Sequence, residues 1–250
     1  MAVVMIAASV LCFASCGKKD DEKTLKVYTN AGFPPFEYLD DKGNVVGVDM
    51  DVIKYIGDKL GYKVEINDIE FNQIFSEIEK DKFAVGAAGI SKKPERDALA
   101  LATDVYATSI QYVIAPKGTF EGEIVPIADV VTYAAAQTNK AIGVQKGTTG
   151  ADMAAGAAEG SEVGVFEYSN AIVAAQDIGT TVSAVVIDKM PAESICKGNA
   201  DLQCWCLDGE MESYVMYFNL EQTELVAQVN DVLKDMIADG TINQFIVNHS

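Results

Sequence analysis

The sequence predicts an α/β protein of two lobes, each a mostly parallel sheet flanked by helices. Three observations predict it. Segments of strand-like and helix-like periodicity alternate through most of the chain, and such alternation implies parallel sheets covered on both faces. The alternation comes in two series, divided at Pro116-Lys117-Gly118. Apolar residues make up 49% of 250 positions, enough core for one large domain or two modest ones.

In the first series, residues 25–28 read as a strand. Residues 30–38 (NAGFPPFEY) read as a loop, because Pro34 and Pro35 suit neither a ladder nor a helix interior. Residues 40–43 make a turn. Val48, Val52, Ile56 and Leu60 mark one face of a helix that Gly61 ends. A strand at 63–66 and an amphipathic helix through Phe71, Ile74, Phe75 and Ile78 follow. Residues 83–89 (FAVGAAG) read as a buried strand whose glycine-rich end something approaches closely. A short helix holding Arg96 and an apolar strand at 110–115 close the series.

In the second series, strands are expected at 141–144, 163–166, 182–187, 202–207 and 214–218. Helices are expected at 151–158, 172–178, 190–196, 223–238 and 242–248. Gly147-Thr148-Thr149-Gly150 turns into the first of them. It lacks the Gly-Lys-Ser/Thr ending of a phosphate-binding loop.

The N-terminus reads as an export signal. Residues 1–15 (MAVVMIAASVLCFAS) are uncharged, too short to span a bilayer comfortably, and end in small residues before Cys16. Small residues directly before a cysteine resemble the bacterial lipoprotein signal, although Phe13 stands where that signal usually has Leu. The resemblance implies lipid on Cys16, and residues 16–24 then form a charged, solvated tether. Of five cysteines, Cys12 leaves with the signal, and Cys196, Cys204 and Cys206 remain. Cys204 and Cys206 alternate on a strand and share a face. Either one pairing with Cys196, plain burial, or a three-thiolate zinc site without a fourth ligand are the readings open to them.

Charge excludes whole classes of function. There are 37 acids against 19 bases, for a net −18. A nucleic-acid partner demands a basic track, and a polybasic membrane dock needs the same. The one histidine is His249, so histidine catalysis and histidine-rich metal sites are disfavoured. Of the bases, Arg96 is the single arginine. Its planar fork suits a carboxylate.

Ligands of open α/β sheets sit at the carboxyl ends of strands. Polar groups fall at those ends: Asn30, Gly89 with Ser91, Gln145 to Thr149, and Asp188. Arg96 and the Ser91 hydroxyl offer donors to a carboxylate. Thr148 and Thr149 lie at a helix N-terminus, where unpaired N–H groups favour an anion. Asp188 suits an ammonium, or caps the helix that follows it. Together these grip a free α-amino acid, with Phe33, Phe36 and Phe71 as walls. Glu37, Asp49 and Asp51 read as helix N-terminal acids rather than a metal site or catalytic pair.

The stretches TNAGFPPFEY, GNVVGVDMDVIKYIGDKLG, AAGISKKPERDALALATDVYATS, VQKGTT, SAVVIDKMPAE and VNDVLKDMIADGTINQFI resemble the polar amino-acid substrate-binding proteins of ABC importers, family 3 of the bacterial extracellular solute-binding proteins. The resemblance runs from residue 25 to 246. It implies a two-lobed clamshell of the type II periplasmic-binding-protein kind, with residues 25–108 and 213–250 as lobe one and 109–212 as lobe two. Hinges would lie at 106–110 and 212–215. Arg96 would bind the α-carboxylate, with Ser91 and the Thr149 amide. Asp188 would bind the α-ammonium, with the Gly89 carbonyl. Phe33 and Phe71 would sandwich the ligand, while Asn30 and Gln145 would face its side chain. Lys92 and Lys93 stand where the family often has threonines. Asn30 replaces the aspartate of members that bind cationic amino acids, which points to a neutral polar ligand such as glutamine.

The resulting expectation is a non-enzymatic monomer. It needs no cofactor or metal, is anchored by lipid outside the cytoplasmic membrane, and delivers an amino acid to an ABC permease. Two rivals stand beside it. One is a cyclohexadienyl-dehydratase-like enzyme on the same scaffold, with Glu37 or Asp188 as its acid or base. The other is the sensing module of a surface receptor.

Overall fold

The computed structural model describes residues 23–250. The expected leader, Cys12, the lipidated Cys16 and the tether as far as residue 22 lie outside the described residues. Thr24, expected at the end of the tether, is already in a strand.

The first part of the chain forms β1 (Thr24–Thr29), β2 (Tyr38–Leu39), β3 (Val45–Val46), α1 (Val48–Leu60) and β4 (Lys63–Asp68). A 3-10 turn at Phe71–Gln73 leads into α2 (Ile74–Lys80), β5 (Ala84–Gly86), α3 (Pro94–Asp97), β6 (Leu101–Ala102) and β7 (Ala107–Ser109). Next come β8 (Gln111–Pro116), β9 (Ile124–Val125), α4 (Ile127–Ala136), β10 (Ala141–Gln145), α5 (Thr149–Ala158), β11 (Gly164–Tyr168) and α6 (Ala171–Gln176). The chain then runs through β12 (Ala184–Asp188), α7 (Lys189–Gly198), β13 (Leu202–Leu207), β14 (Glu212–Tyr214), β15 (Tyr217–Phe218), α8 (Thr223–Ala238) and α9 (Thr241–His249).

Two sheets define the two lobes. One has the order β4-β1-β5-β15-β6, the other β11-β10-β12-β8-β13-β9. In each, three neighbouring strands are parallel: β4, β1 and β5 in the first, β11, β10 and β12 in the second. The antiparallel strands are those next to the crossings between lobes. Those crossings are β7 and β14, which pair with each other as Glu212↔Ser109 and Tyr214↔Ala107.

Periodicity explains the helices. Val48, Val52, Ile53 and Ile56 of α1 are all fully buried, so its apolar face is its lobe-facing face. Leu225, Val229, Leu233 and Met236 do the same for α8. Asn170 caps α6 by accepting from Val173 N–H at 3.0 Å.

The structure corrects four expectations. The strand expected over 83–89 pairs only at Ala84–Gly86, because Gly89 takes φ +51 and turns the chain. The strand expected over 214–218 is two strands: β14 serves the crossing, while β15 sits between β5 and β6. Strand β8 belongs to the second sheet, antiparallel to β12 and β13. Helix α4 was not expected.

Candidate functional site

The carboxyl ends of β1, β5, β10 and β12 converge on the cleft between the sheets. Nine of the ten expected site residues line one cavity there. The first lobe contributes Phe33, Phe71, Gly89, Ser91 and Arg96; the second contributes Gln145, Thr148, Thr149 and Asp188. Asn30 stands behind them. Its Nδ2 donates to the Ile69 carbonyl at 2.7 Å, and its Oδ1 accepts from Gln145 Nε2 at 2.8 Å. Phe36, expected as a wall, is not part of this lining; it packs edge-on against Tyr214 with ring centroids 5.0 Å apart.

Arg96 is 8% exposed. Its guanidinium donates to the Ser91 carbonyl at 2.6 Å and, across the cleft, to the Gly147 carbonyl at 3.0 Å. It also lies over Phe71 and Phe75, 5.5 and 5.9 Å from their centroids. Its hydrogen bonds go to neutral carbonyls. Burial lowers its pKa, yet a guanidinium stays charged. The charges of Glu212, Asp152 and Asp188 reach it but none bonds it directly, so a buried positive charge still favours an anion beside it.

The anion donors of the second lobe follow from α5. The Thr148 hydroxyl accepts from Ala151 N–H at 3.2 Å and donates to the Gln145 carbonyl at 2.8 Å. This N-cap fixes the helix start at the cavity, which Thr148 and Thr149 line.

Asp188 sits at the N-cap position of α7 but makes no side-chain capping bond. Its carboxylate turns to the cleft and accepts from the Tyr214 hydroxyl at 2.6 Å and Gln111 Nε2 at 3.1 Å. Burial first, and the charge of Glu212 second, push its pKa up to about 7.

Asp49 is likewise buried. It orients the opposite wall by accepting from Gly89 N–H at 2.8 Å and the Tyr106 hydroxyl at 2.7 Å. Burial raises its pKa to about 6 against those two bonds. Gly89 is needed at that position: a Cβ there would lie 2.6 Å from Phe33 Cε1.

Two acids of the site stand outside the expected amino-acid-binding set, although Glu37 was named as the acid or base of the rival enzyme. Glu37, read as a helix N-terminal acid, lies outside α1 and lines the cavity. It is 1% exposed, and its Oε2 has no hydrogen-bond partner. Burial, then the charges of Asp49, Asp188 and Asp68, drive its pKa well above the carboxylate range. Glu212, on β14, accepts from the Ser91 hydroxyl of one lobe, and from the Thr149 hydroxyl at 2.8 Å and Gln111 Nε2 at 2.9 Å of the other. An acid beside a hinge was the available signal for Glu212. For Glu37 the signal was an acid in a proline-ordered loop rather than in a helix. Asp51 pairs with His249 at 2.9 Å, away from the cavity. Lys93 bonds Asp152 across the cleft at 2.5 Å.

Among the described residues, no group of three or more His, Cys, Asp or Glu side chains could hold a metal ion, and no helix is long and apolar enough to cross a membrane.

A family profile described as bacterial extracellular solute-binding proteins, family 3, matches residues 25–249. The arginine-binding extracellular protein ArtP of Bacillus subtilis (strain 168) is 26% identical over 255 aligned positions, covering 97% of this chain and 94% of its own. An ancestral arginine-binding protein solved with arginine superposes with a TM-score of 0.81 at 30% identity, over 91% of this chain and 98% of that one. The ancestral amino acid-binding protein AncCDT-1, a precursor of cyclohexadienyl dehydratase, superposes with a TM-score of 0.76 at 26% identity, over 90% and 95%. With the profile spanning nearly all of the described residues, the chain belongs to family 3 of the bacterial extracellular solute-binding proteins.

Proposed function

We propose that this protein binds a free α-amino acid in the interlobe cavity and delivers it to an ABC importer. The observation that carries the reading is the pairing within one cavity of a buried guanidinium that hydrogen-bonds no anion, Arg96, and a buried acid, Asp188. A zwitterion satisfies both: its carboxylate meets Arg96, Ser91 and the α5 amides, and its ammonium meets Asp188 and the Gly89 carbonyl. Phe33 and Phe71 enclose its side chain. The lobes divide as 25–108 with 213–250, and 109–212, and hinge at β7 and β14. The protein works as a monomer outside the cell, held by lipid on Cys16.

The side-chain class follows from Glu37. A neutral ligand was expected because Asn30 carries no charge. Asn30 is engaged by Gln145 and Ile69, whereas Glu37 brings an unpartnered carboxyl oxygen to the same cavity. A cationic side chain would satisfy that oxygen and let Glu37 ionise. The preferred ligand is therefore a cationic amino acid of the arginine class, which accords with the named ligands of ArtP and of the ancestral arginine-binding structure.

Calorimetric titration with the twenty amino acids tests this. One cationic amino acid should bind at one site. Glu37→Gln should weaken it at least tenfold while sparing neutral amino acids, and Arg96→Ala should weaken every ligand by about 3 kcal/mol. Selective glutamine binding would return the preference to a neutral ligand. No binding at all, with turnover of arogenate or prephenate, would move the protein to the enzyme class represented by the dehydratase lineage.

A further inference from the structure

We propose that Cys196 and Cys204 form a disulfide that pins the end of α7 to β13, leaving Cys206 a free thiol. Three placements support it. Helix α7 ends at Gly198 and the chain folds straight back into β13 through a tight turn, with Asn199 N–H donating to the Cys196 carbonyl at 3.2 Å and Leu202 N–H to the Asn199 carbonyl at 3.2 Å. That turn sets the two side chains against the same apolar cluster, with Ile195 and Leu202 beside them. The Cys196 and Cys204 thiols are both free in the structure and close enough to shift each other's pKa, Cys196 upward and Cys204 downward. Cys206 is excluded by geometry. It is two residues further along β13, opposite Tyr112 where Cys204 is opposite Ile114, a displacement of about 7 Å. Its thiol instead contacts the Leu207 carbonyl at 3.4 Å.

The chemistry needs an oxidant, and a disulfide-bearing partner of the extracytoplasmic space supplies it. The Cys204 thiol, its pKa lowered by Cys196, loses its proton and attacks one sulfur of that disulfide. The partner's other sulfur leaves as a thiolate. The Cys196 thiolate then attacks Cys204 Sγ and expels the second sulfur. One S–S bond forms in this protein, the protons lost by Cys204 and Cys196 pass to the two expelled thiolates, and the partner's disulfide is thereby reduced to two thiols. Asp188 is the N-cap residue of helix α7, so the link fastens the far end of the helix that follows the ammonium partner.

The inference rests on the export reading only for its setting, so its test is run outside the cell. The full chain, reduced and then equilibrated with oxidised glutathione, is alkylated, digested and mapped by mass. The peptide carrying Cys196 should be joined to Cys204, two hydrogens lighter than the reduced pair, with alkylation at Cys206. Cys206→Ser should keep the link, and reduction of that variant should lower its melting temperature by about 5 °C. Alkylation of Cys196, or a link from Cys196 to Cys206, overturns the proposal. Amino-acid binding is scored separately, so a protein that binds arginine yet leaves Cys196 alkylated loses only the disulfide.

Discussion

At the scale of single residues the site is a set of buried charges that constrain one another. Asp188 has a pKa of about 7 where an unfolded aspartate has about 3.9. Raised in the folded state, it makes the ligand-free protein lose stability as pH rises from about 4 to 7, and Asp49, at about 6, adds with the same sign. Binding runs the other way. An ammonium needs the ionised carboxylate, so affinity should rise with pH across 5 to 8, by up to tenfold per unit below the Asp188 pKa, and binding should release protons. Titration in two buffers of different ionisation enthalpy reads both. Glu212→Gln removes the charge that helps raise Asp188 and should move the profile to lower pH. An affinity flat from pH 5 to 8 would exclude Asp188 as the ammonium partner.

Elements turn these residues into a site, and α5 is the case to test. Thr148 is its N-cap through the bond to Ala151 N–H. Thr148→Ala should cost about 1 kcal/mol of stability by denaturant unfolding and weaken ligand binding, while Thr148→Ser should keep both. A variant that loses stability without affinity would detach the helix start from the ligand carboxylate. This element was legible beforehand because its signals are local: a Gly-Thr turn and an alanine-rich run. The parallel strands β1, β10 and β12 were legible for the same reason, and their ends placed Asn30, Gln145 and Asp188 at the cleft. Helix α4 was not legible, because Val130, Val131, Thr132 and Tyr133 favour strands and only packing against the second sheet makes them helical. Glu212 was missed, and Glu37 was placed at the site only for the rival enzyme, because what defines them, burial and the charges around them, comes from residues remote in sequence.

At the scale of the whole molecule, the lobes meet through protein contacts as well as through any ligand. Gln145 bonds Asn30 at 2.8 Å, Lys93 bonds Asp152 at 2.5 Å, and Arg96 bonds the Gly147 carbonyl at 3.0 Å. Backbone also packs closely where Gly32 of the first lobe meets Asn170 of the second: a Cβ on Gly32 would lie 2.7 Å from Asn170 Cβ. Asn170 cannot swing aside without losing its cap on α6. Gly32→Ala therefore wedges the lobes apart without touching a cavity-lining group. Closure sets affinity only if the closed state binds better than the open one. The wedge should then raise the dissociation constant about tenfold, equivalent to about 1.4 kcal/mol. It should leave the unfolding midpoint of the ligand-free chain unchanged and hold the ligand-saturated protein in a more expanded state by small-angle scattering. Replacing Asn170 by Gly in the same chain opens the space again and should recover closure, less the loss of the α6 cap. If Gly32→Ala binds with wild-type affinity and compacts normally on saturation, this contact does not form when the jaws shut.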